Sequence, residues 1–122
     1  MEQSETNVLR RKQFEASEKE TKVALLQTMI REFDSMIAQL EEQIAAEEDR
    51  TKITDTSHPA YSMFATAAAK RRQNLIISVA HTKSMLDAAK RELDEVGAQL
   101  VDLEPIHDNQ SSLTTVAISA AT

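Results

Sequence analysis

Two seven-residue repeats of apolar residues run through this chain, one on each side of a short polar segment. Within each repeat the apolar residues recur at alternating steps of three and four, which places them along one narrow stripe of an α-helix. The first stripe comprises Val23, Leu26, Ile30, Phe33, Ile37, Leu40 and Ile44. The second stripe comprises Leu75, Val79, Thr82, Leu86, Ala89, Leu93, Val96, Leu100 and Leu103. Two helices with such stripes bury them against each other, so the spacing predicts a left-handed coiled coil.

The composition favours helices and leaves little material for turns or for a large core. The 122 residues include one glycine and two prolines, and only 3% of them are aromatic. Few helix breakers leave room for few turns, which argues against a β-sheet protein. The expected fold class is therefore all-α, an antiparallel two-helix coiled-coil hairpin with a flexible C-terminal tail.

The polar segment between the repeats sets the expected helix boundaries. Helix one is expected over about 4–51, with Ser4 as its N-cap, and the turn is expected over about 52–58. Ser57 or His58 is the expected N-cap of helix two, with Pro59 in its first turn. Helix two is expected over about 59–104, because Pro105 cannot continue it. The hairpin then forms one domain over 4–104, and residues 105–122, rich in Ser, Thr and Ala, form the flexible tail.

The register of the two helices can also be predicted. In an antiparallel pair the numbers of facing residues have a constant sum, and a turn centred in the polar segment predicts a sum of 112. This register places Phe33 opposite Val79, and most other layers also pair two apolar residues. One layer is poor, because Leu40 faces Arg72. We expect the Arg72 guanidinium to bend outward to a carboxylate such as that of Glu41.

Charge and hydropathy exclude several classes of partner. The formal net charge of −6 argues against nucleic-acid binding, which needs a cationic surface. No apolar run approaches the roughly 18–20 residues that a membrane-spanning helix needs, so direct membrane insertion is not expected. The first residues lack the basic and apolar regions of a secretion signal. The sequence therefore predicts a cytoplasmic protein.

No pattern in the chain predicts catalysis or cofactor binding. The three histidines, His58, His81 and His107, are far apart, and none has further ligands at metal-binding spacing. There is no cysteine, no glycine-rich phosphate loop and no nucleophile motif. We expect a protein that is not an enzyme and that holds no metal or other cofactor.

Several side chains outside the two stripes have two possible roles. Phe14, Leu25, Met63 and Ile77 are expected to point outward, as isolated exposed residues or as a partner surface. Tyr61 is expected to close the end of the hairpin or to serve as a recognition residue there. The basic clusters at 10–12 and 70–72 are expected to be solvated helix faces or docking patches for an acidic partner.

The segment around the polar break resembles a known family. The most specific part covers residues 41–75, with Ile-Thr-Asp-Thr-Ser-His-Pro-Ala-Tyr at 53–61 and Ala-Ala-Ala-Lys-Arg-Arg-Gln-Asn-Leu at 67–75. These runs are similar to the flagellar export protein FliJ as it occurs in alpha-proteobacteria, and the resemblance extends over roughly residues 7–104. The uncharged tail departs from the more charged C-termini of that family.

The resemblance implies a fold, a function and a set of partners. FliJ proteins are antiparallel two-helix coiled coils that resemble the central stalk of rotary ATPases. Their paired termini enter the hexameric export ATPase and stimulate it, their midsection contacts the export gate protein in the inner membrane, and they bind export chaperones. The resemblance thus implies a cytoplasmic component of the flagellar type III export apparatus, peripheral to the inner membrane and monomeric in isolation.

The resemblance also implies two sets of partner-binding residues. The set at the ATPase-pore end comprises Leu9, Arg10, Arg11, Lys12, Phe14, Leu100 and Leu103. The set on the export-gate face comprises Tyr61, Met63, Phe64, Lys70, Arg71, Arg72 and Ile77. The alternative is a generic coiled-coil adaptor or a self-assembling four-helix bundle, in which outward apolar residues of two hairpins pack together.

Overall fold

A computed structural model describes the backbone of residues 2–120 and the side chains of residues 4–103. It contains two helices, α1 over Glu2–Thr51 and α2 over Met63–Ala120, and the described residues include no strand. The two helices pack against each other, which confirms the expected all-α, two-helix fold.

The chain divides into two compact units. We call Met1–Val23 with Ala88–Thr122 the terminal unit, and Ala24–Asp87 the loop unit. Each contains a segment of α1 and a segment of α2. In the loop unit the two segments run antiparallel. Glu41 accepts a hydrogen bond from Arg72, whereas Glu47, which lies farther along α1, accepts one from Ser62, which lies earlier in the chain than Arg72.

The seam between the helices consists of the two predicted stripes. Every residue of both stripes is buried or half-buried, and none is exposed. Thr82 is the one polar residue among the buried side chains described, and its hydroxyl donates to the Ser78 carbonyl oxygen at 2.7 Å. All the buried residues follow the heptad spacing: Leu9, Leu26, Leu40, Ala65, Ala68, Val79, Thr82, Leu86, Ala89 and Val96.

Two interhelical ion pairs confirm the predicted register. Arg72 Nε lies 2.8 Å from Glu41 Oε1 in the loop unit, and Lys19 Nζ lies 2.9 Å from Glu92 Oε2 in the terminal unit. The residue numbers sum to 113 and 111, close to the predicted 112. The neighbouring registers that keep the seven-residue repeat are seven residues away and are excluded. The Arg72 guanidinium also bends outward to Glu41, as expected, and Leu40 stays buried.

Helix α1 ends at Thr51 as predicted, but it begins at Glu2, so Ser4 lies inside the helix and is not its N-cap. The residue after α1 adopts a left-handed conformation. Lys52 has a φ of 59°, the left-handed conformation that a helix commonly adopts immediately after its last turn. The Lys52 ammonium lies 3.0 Å from Asp49 Oδ1. A left-handed residue other than glycine is uncommon, and here it turns the chain out of α1 toward the loop.

The start of α2 differs from the prediction, which placed it near Pro59. The N-cap is Ser62, whose Oγ accepts a hydrogen bond from the Ala65 amide at 3.2 Å. Ser57 and His58 do not cap the helix, because both take part in turns of the loop. Pro59 therefore lies in the loop, and α2 begins four residues later than expected, at Met63.

The C-terminal boundary of helix two differs from the expectation as well. The sequence predicts an end near 104, whereas α2 continues through Pro105 to Ala120. Proline removes one backbone donor and crowds the preceding turn, but a helix can continue past it with a local distortion. The predicted flexible tail over 105–122 lies outside the residues whose side chains the structure describes.

Candidate interaction surfaces

Two glutamates at the end of α1 bind the residues that lead into α2. Glu47 Oε1 accepts a hydrogen bond from Ser62 Oγ at 2.8 Å, and Glu48 Oε1 accepts one from the Tyr61 hydroxyl at 2.8 Å. Arg50 also donates to Glu47, from Nε at 3.2 Å. We call these residues the loop clasp. It joins the start of α2 to the end of α1, because Ser62 both caps α2 and binds Glu47.

The clasp shifts the pKa values of its members in opposite directions. Hydrogen bonds from Arg50 and Ser62 lower the pKa of Glu47, so this carboxyl stays ionised at neutral pH. The hydrogen bond to Glu48 raises the pKa of Tyr61, because ionised tyrosine could not donate it. At neutral pH the clasp therefore combines a charged Glu47 with a neutral Tyr61.

The loop itself is ordered by short-range hydrogen bonds. Asp55 Oδ1 accepts from the Ser57 amide at 3.0 Å and from its hydroxyl at 2.7 Å, and these bonds lower the pKa of Asp55. His58 Nδ1 accepts from the Ala60 amide at 2.9 Å, and the His58 carbonyl oxygen accepts from the Tyr61 amide at 3.0 Å. Consecutive turns of this kind present Tyr61 to Glu48.

The predicted export-gate residues separate into different environments. Tyr61 belongs to the loop clasp and lies before α2, not on its first turn as expected. Arg72 lies on the seam and pairs with Glu41. The remaining five are exposed on α2, and their spacing places them on two stripes that are about 100° apart around the helix, one with Met63, Lys70 and Ile77 and the other with Phe64 and Arg71.

The predicted pore-end residues separate in a similar way. Leu9 is buried in the seam, and Leu100 and Leu103 are half-buried there. Phe14 is 67% exposed, the largest exposed fraction of the apolar side chains described in the terminal unit. The two exposed arginines and the half-buried lysine of this set precede it on α1: Arg10, Arg11 and Lys12.

Electrostatic contacts of the terminal unit involve both helices. Lys12 Nζ lies 3.2 Å from Glu15 Oε2 on the same helix, and Glu92 on α2 receives both Lys19 and, at 3.8 Å, Lys22. The hydrogen bond between Lys19 and Glu92 lowers the pKa of Glu92 and raises the pKa of Lys19. Lys19 occupies a seam position of α1, and its ammonium reaches Glu92 on α2.

Sequence reasoning missed two exposed apolar residues in the terminal unit. Val8 and Val101 are both exposed, and Val101 retains 63% of its accessible surface. The signal for Val101 was present, because it lies between the seam residues Leu100 and Leu103 and off their stripe. With Phe14, these valines add to the apolar surface that this unit exposes.

Two patterns, those of metal sites and of membrane-spanning helices, are absent from the described residues. Among residues 4–103, no three histidine, cysteine or acidic side chains are grouped as metal ligands would be. In the same part of the chain, neither helix offers a stretch with the length and low charge that a bilayer-spanning segment requires. No protein-family model, curated protein or solved structure matches this chain.

Proposed function

We propose that this chain is a component of the flagellar type III export apparatus that binds and stimulates the export ATPase hexamer and contacts the export gate. The proposal starts from the resemblance of residues 41–75 to the FliJ family. The observation that carries it furthest is the placement of apolar side chains. The seam is already filled by the two stripes, and yet Phe14, Met63 and Ile77 remain exposed.

The contact with the ATPase is assigned to the terminal unit. Of the residues that the resemblance assigns to this contact, Leu9, Leu100 and Leu103 hold the seam together. The direct contact is therefore assigned to the exposed Arg10, Arg11 and Phe14. These residues offer one aromatic side chain with two cationic side chains beside it. Such a contact with one part of a ring of identical subunits can favour one state of the ring over another, and no chemistry of the chain itself is needed.

The contact with the gate is assigned to the loop unit. Met63, Lys70 and Ile77 share one exposed stripe of α2, and the loop clasp holds the start of this helix in place. Under this proposal the protein works in the cytoplasm at the base of the flagellum, peripheral to the inner membrane, and also binds export chaperones.

The experiment that tests the proposal is an ATPase assay with the purified export ATPase. Stoichiometric addition of this chain is expected to raise the hydrolysis rate by about fivefold or more, the low end of typical coupling between sites. The double variant Arg10→Glu/Arg11→Glu is expected to remove most of the stimulation. The matched control is Lys90→Glu/Arg91→Glu, the same change of charge at exposed positions of α2 in the same unit. A hydrolysis rate that the wild-type chain leaves unchanged contradicts the proposal.

The exposed apolar residues also support a second candidate function, a self-assembling coiled-coil bundle. Leu25, Met63 and Ile77 could be covered by a second hairpin, which would form a four-helix bundle. Light scattering separates the two functions. The export proposal predicts a particle of 13.6 kDa, the mass of one chain, and the bundle predicts a stable multiple of that mass.

A further inference from the structure

The two flanks of the seam in the loop unit carry different chemistry. Positions beside the seam of a coiled coil usually hold charged residues, which keep the flanks soluble and pair across the helices. On α1 one flank follows this rule, because Asp34, Glu41 and Glu48 recur every seven residues, and on α2 the same flank holds Lys83 in a row with Ile76 and Ala69. The other flank does not follow it.

The second flank is formed by two further heptad stripes. On α1 it holds Met29, Met36 and Gln43, and on α2 it holds Phe64, Arg71, Ser78 and Met85, all at steps of seven residues. We call these seven residues the methionine groove. All of them lie in the loop unit, and Arg71 is their single charge.

The two rows of the methionine groove meet at Met36, Gln43 and Arg71. These residues line an open recess of about 100 Å³ together with Gln39 and the seam residue Leu40. Phe64 is 56% exposed, Met36 and Met85 are also exposed, and Met29 is half-buried. An open recess with both apolar and polar lining therefore lies beside the seam, and the apolar side chains of Phe64 and Met85 lie on either side of it along α2.

The charges around the groove favour an acidic occupant. No aspartate or glutamate occurs on the loop and α2 from Thr56 to Leu86, whereas this stretch carries four basic residues. Arg72 is neutralised by Glu41, but Arg71 has no ion-pair partner among the described side chains. Glu32 is the one carboxylate of the described α1 residues that the spacing places beside the middle of the groove, one helical turn from Met36.

We propose that the methionine groove binds an amphipathic helix of a partner protein that presents a carboxylate to Arg71. A third helix with apolar residues at steps of three and four matches the seven-residue spacing of both rows. Methionine side chains adapt to partners of different shape, so the groove accepts more than one such helix. The inference goes beyond the export proposal and does not depend on it, because groove binding is measured without the ATPase.

The methionines provide the probe for a direct test. The chain has five, of which Met29, Met36 and Met85 lie in the groove and Met63 lies on the outer stripe of α2. The full chain, labelled with ¹³C at the methionine methyl groups, is titrated with a helical peptide of about three heptads. The peptide has leucines on one face and glutamates beside that face. The three groove methyl signals are expected to shift and saturate together, while the Met63 signal stays in place.

A charge exchange tests the role of Arg71. Arg71→Glu is expected to weaken binding of the glutamate peptide at least about tenfold and to strengthen binding of the same peptide with lysines in place of glutamates. The matched control is Lys83→Glu, the corresponding change on the other flank, which leaves both affinities unchanged. Circular dichroism of each variant verifies that the helices are retained.

Three results would overturn the proposal. The first is that the groove methyl signals do not respond to the glutamate peptide, or respond only together with Met63. The second is that wild-type protein binds the glutamate and lysine peptides equally well. The third is that the groove signals shift with protein concentration in the absence of peptide, which would assign the groove to a second copy of this chain.

Discussion

Replacing Val79 with aspartate is expected to lower the free energy of unfolding by about 3 kcal/mol or more, the largest effect of any substitution considered. Val79 is 8% exposed and lies in the seam of the loop unit. The substitution removes a buried apolar group and places a carboxylate where the surrounding seam residues are apolar. An uncompensated buried charge destabilises a protein by several kcal/mol.

The effect of Val79→Asp is measured by thermal unfolding monitored with circular dichroism at 222 nm. A loss of 3 kcal/mol corresponds to a fall of at least about 12 °C in the midpoint for a domain of this size. The matched control is Val101→Asp, the same change at a residue that is 63% exposed, and its midpoint is expected to stay within a few degrees of wild type. Equal midpoints for the two variants would show that Val79 is not in the seam.

The second large effect is expected for Leu26→Ala, which removes a side chain that is 3% exposed. Truncation of a buried leucine loses its transfer free energy and leaves a cavity, at a cost of 2–5 kcal/mol in typical cores. A leucine in a seam between two helices has fewer neighbouring side chains than one in a larger core. We therefore expect Leu26→Ala to lower the free energy of unfolding by about 2 kcal/mol, which corresponds to a fall of about 8–16 °C in the unfolding midpoint.

The adjacent residue provides the control for Leu26→Ala. Leu25 is 58% exposed, so Leu25→Ala makes the same chemical change one position away on the same helix. Its midpoint is expected to move by no more than a few degrees, since surface substitutions are usually worth less than about 0.5 kcal/mol. If Leu25→Ala were the more destabilising of the two, the face of α1 that packs on α2 would be wrongly assigned.

The heptad spacing was sufficient to predict the seam and its register. Burial in a two-helix coiled coil is determined by one repeated contact, so a stripe at steps of three and four identifies its members without other information. The length of the polar segment then selects one register among those that keep the repeat. The register also places Arg72 in an apolar layer. A guanidinium there must reach a carboxylate or water, so the outward bend of Arg72 toward Glu41 could be predicted.

The loop could not be predicted to the same precision. Residues 52–62 contain several side chains that cap helices equally well, and the choice among them depends on hydrogen bonds across the loop. Asp55 captures Ser57, whereas Glu47 binds Ser62 from the other helix and so selects it as the cap. The partner of Tyr61 was missed for the same reason, since Glu48 approaches it only after the chain has turned.

Prediction of the interaction surfaces was limited in a different way. The outward position of Phe14, Met63 and Ile77 follows from the heptad position alone, and the structure confirms that they are exposed. A resemblance, however, assigns a whole segment to a partner and does not separate seam residues from surface residues. The predicted partner-binding sets therefore include Leu9 and Arg72. In the structure Leu9 is buried in the seam, and Arg72 pairs with Glu41 of the other helix.

The central claim is that α1 and α2 of one chain pack antiparallel in the register observed in the loop unit, and a spin-label distance tests it most directly. Gln39 and Gln73 are both exposed, and their numbers sum to 112. Labels at these positions, in chains diluted with unlabelled protein, are expected to lie within about 25 Å, the width of two packed helices. A separation of about 50 Å, the rise of an uninterrupted helix of 34 residues, would contradict the account. So would a short distance that disappears on dilution.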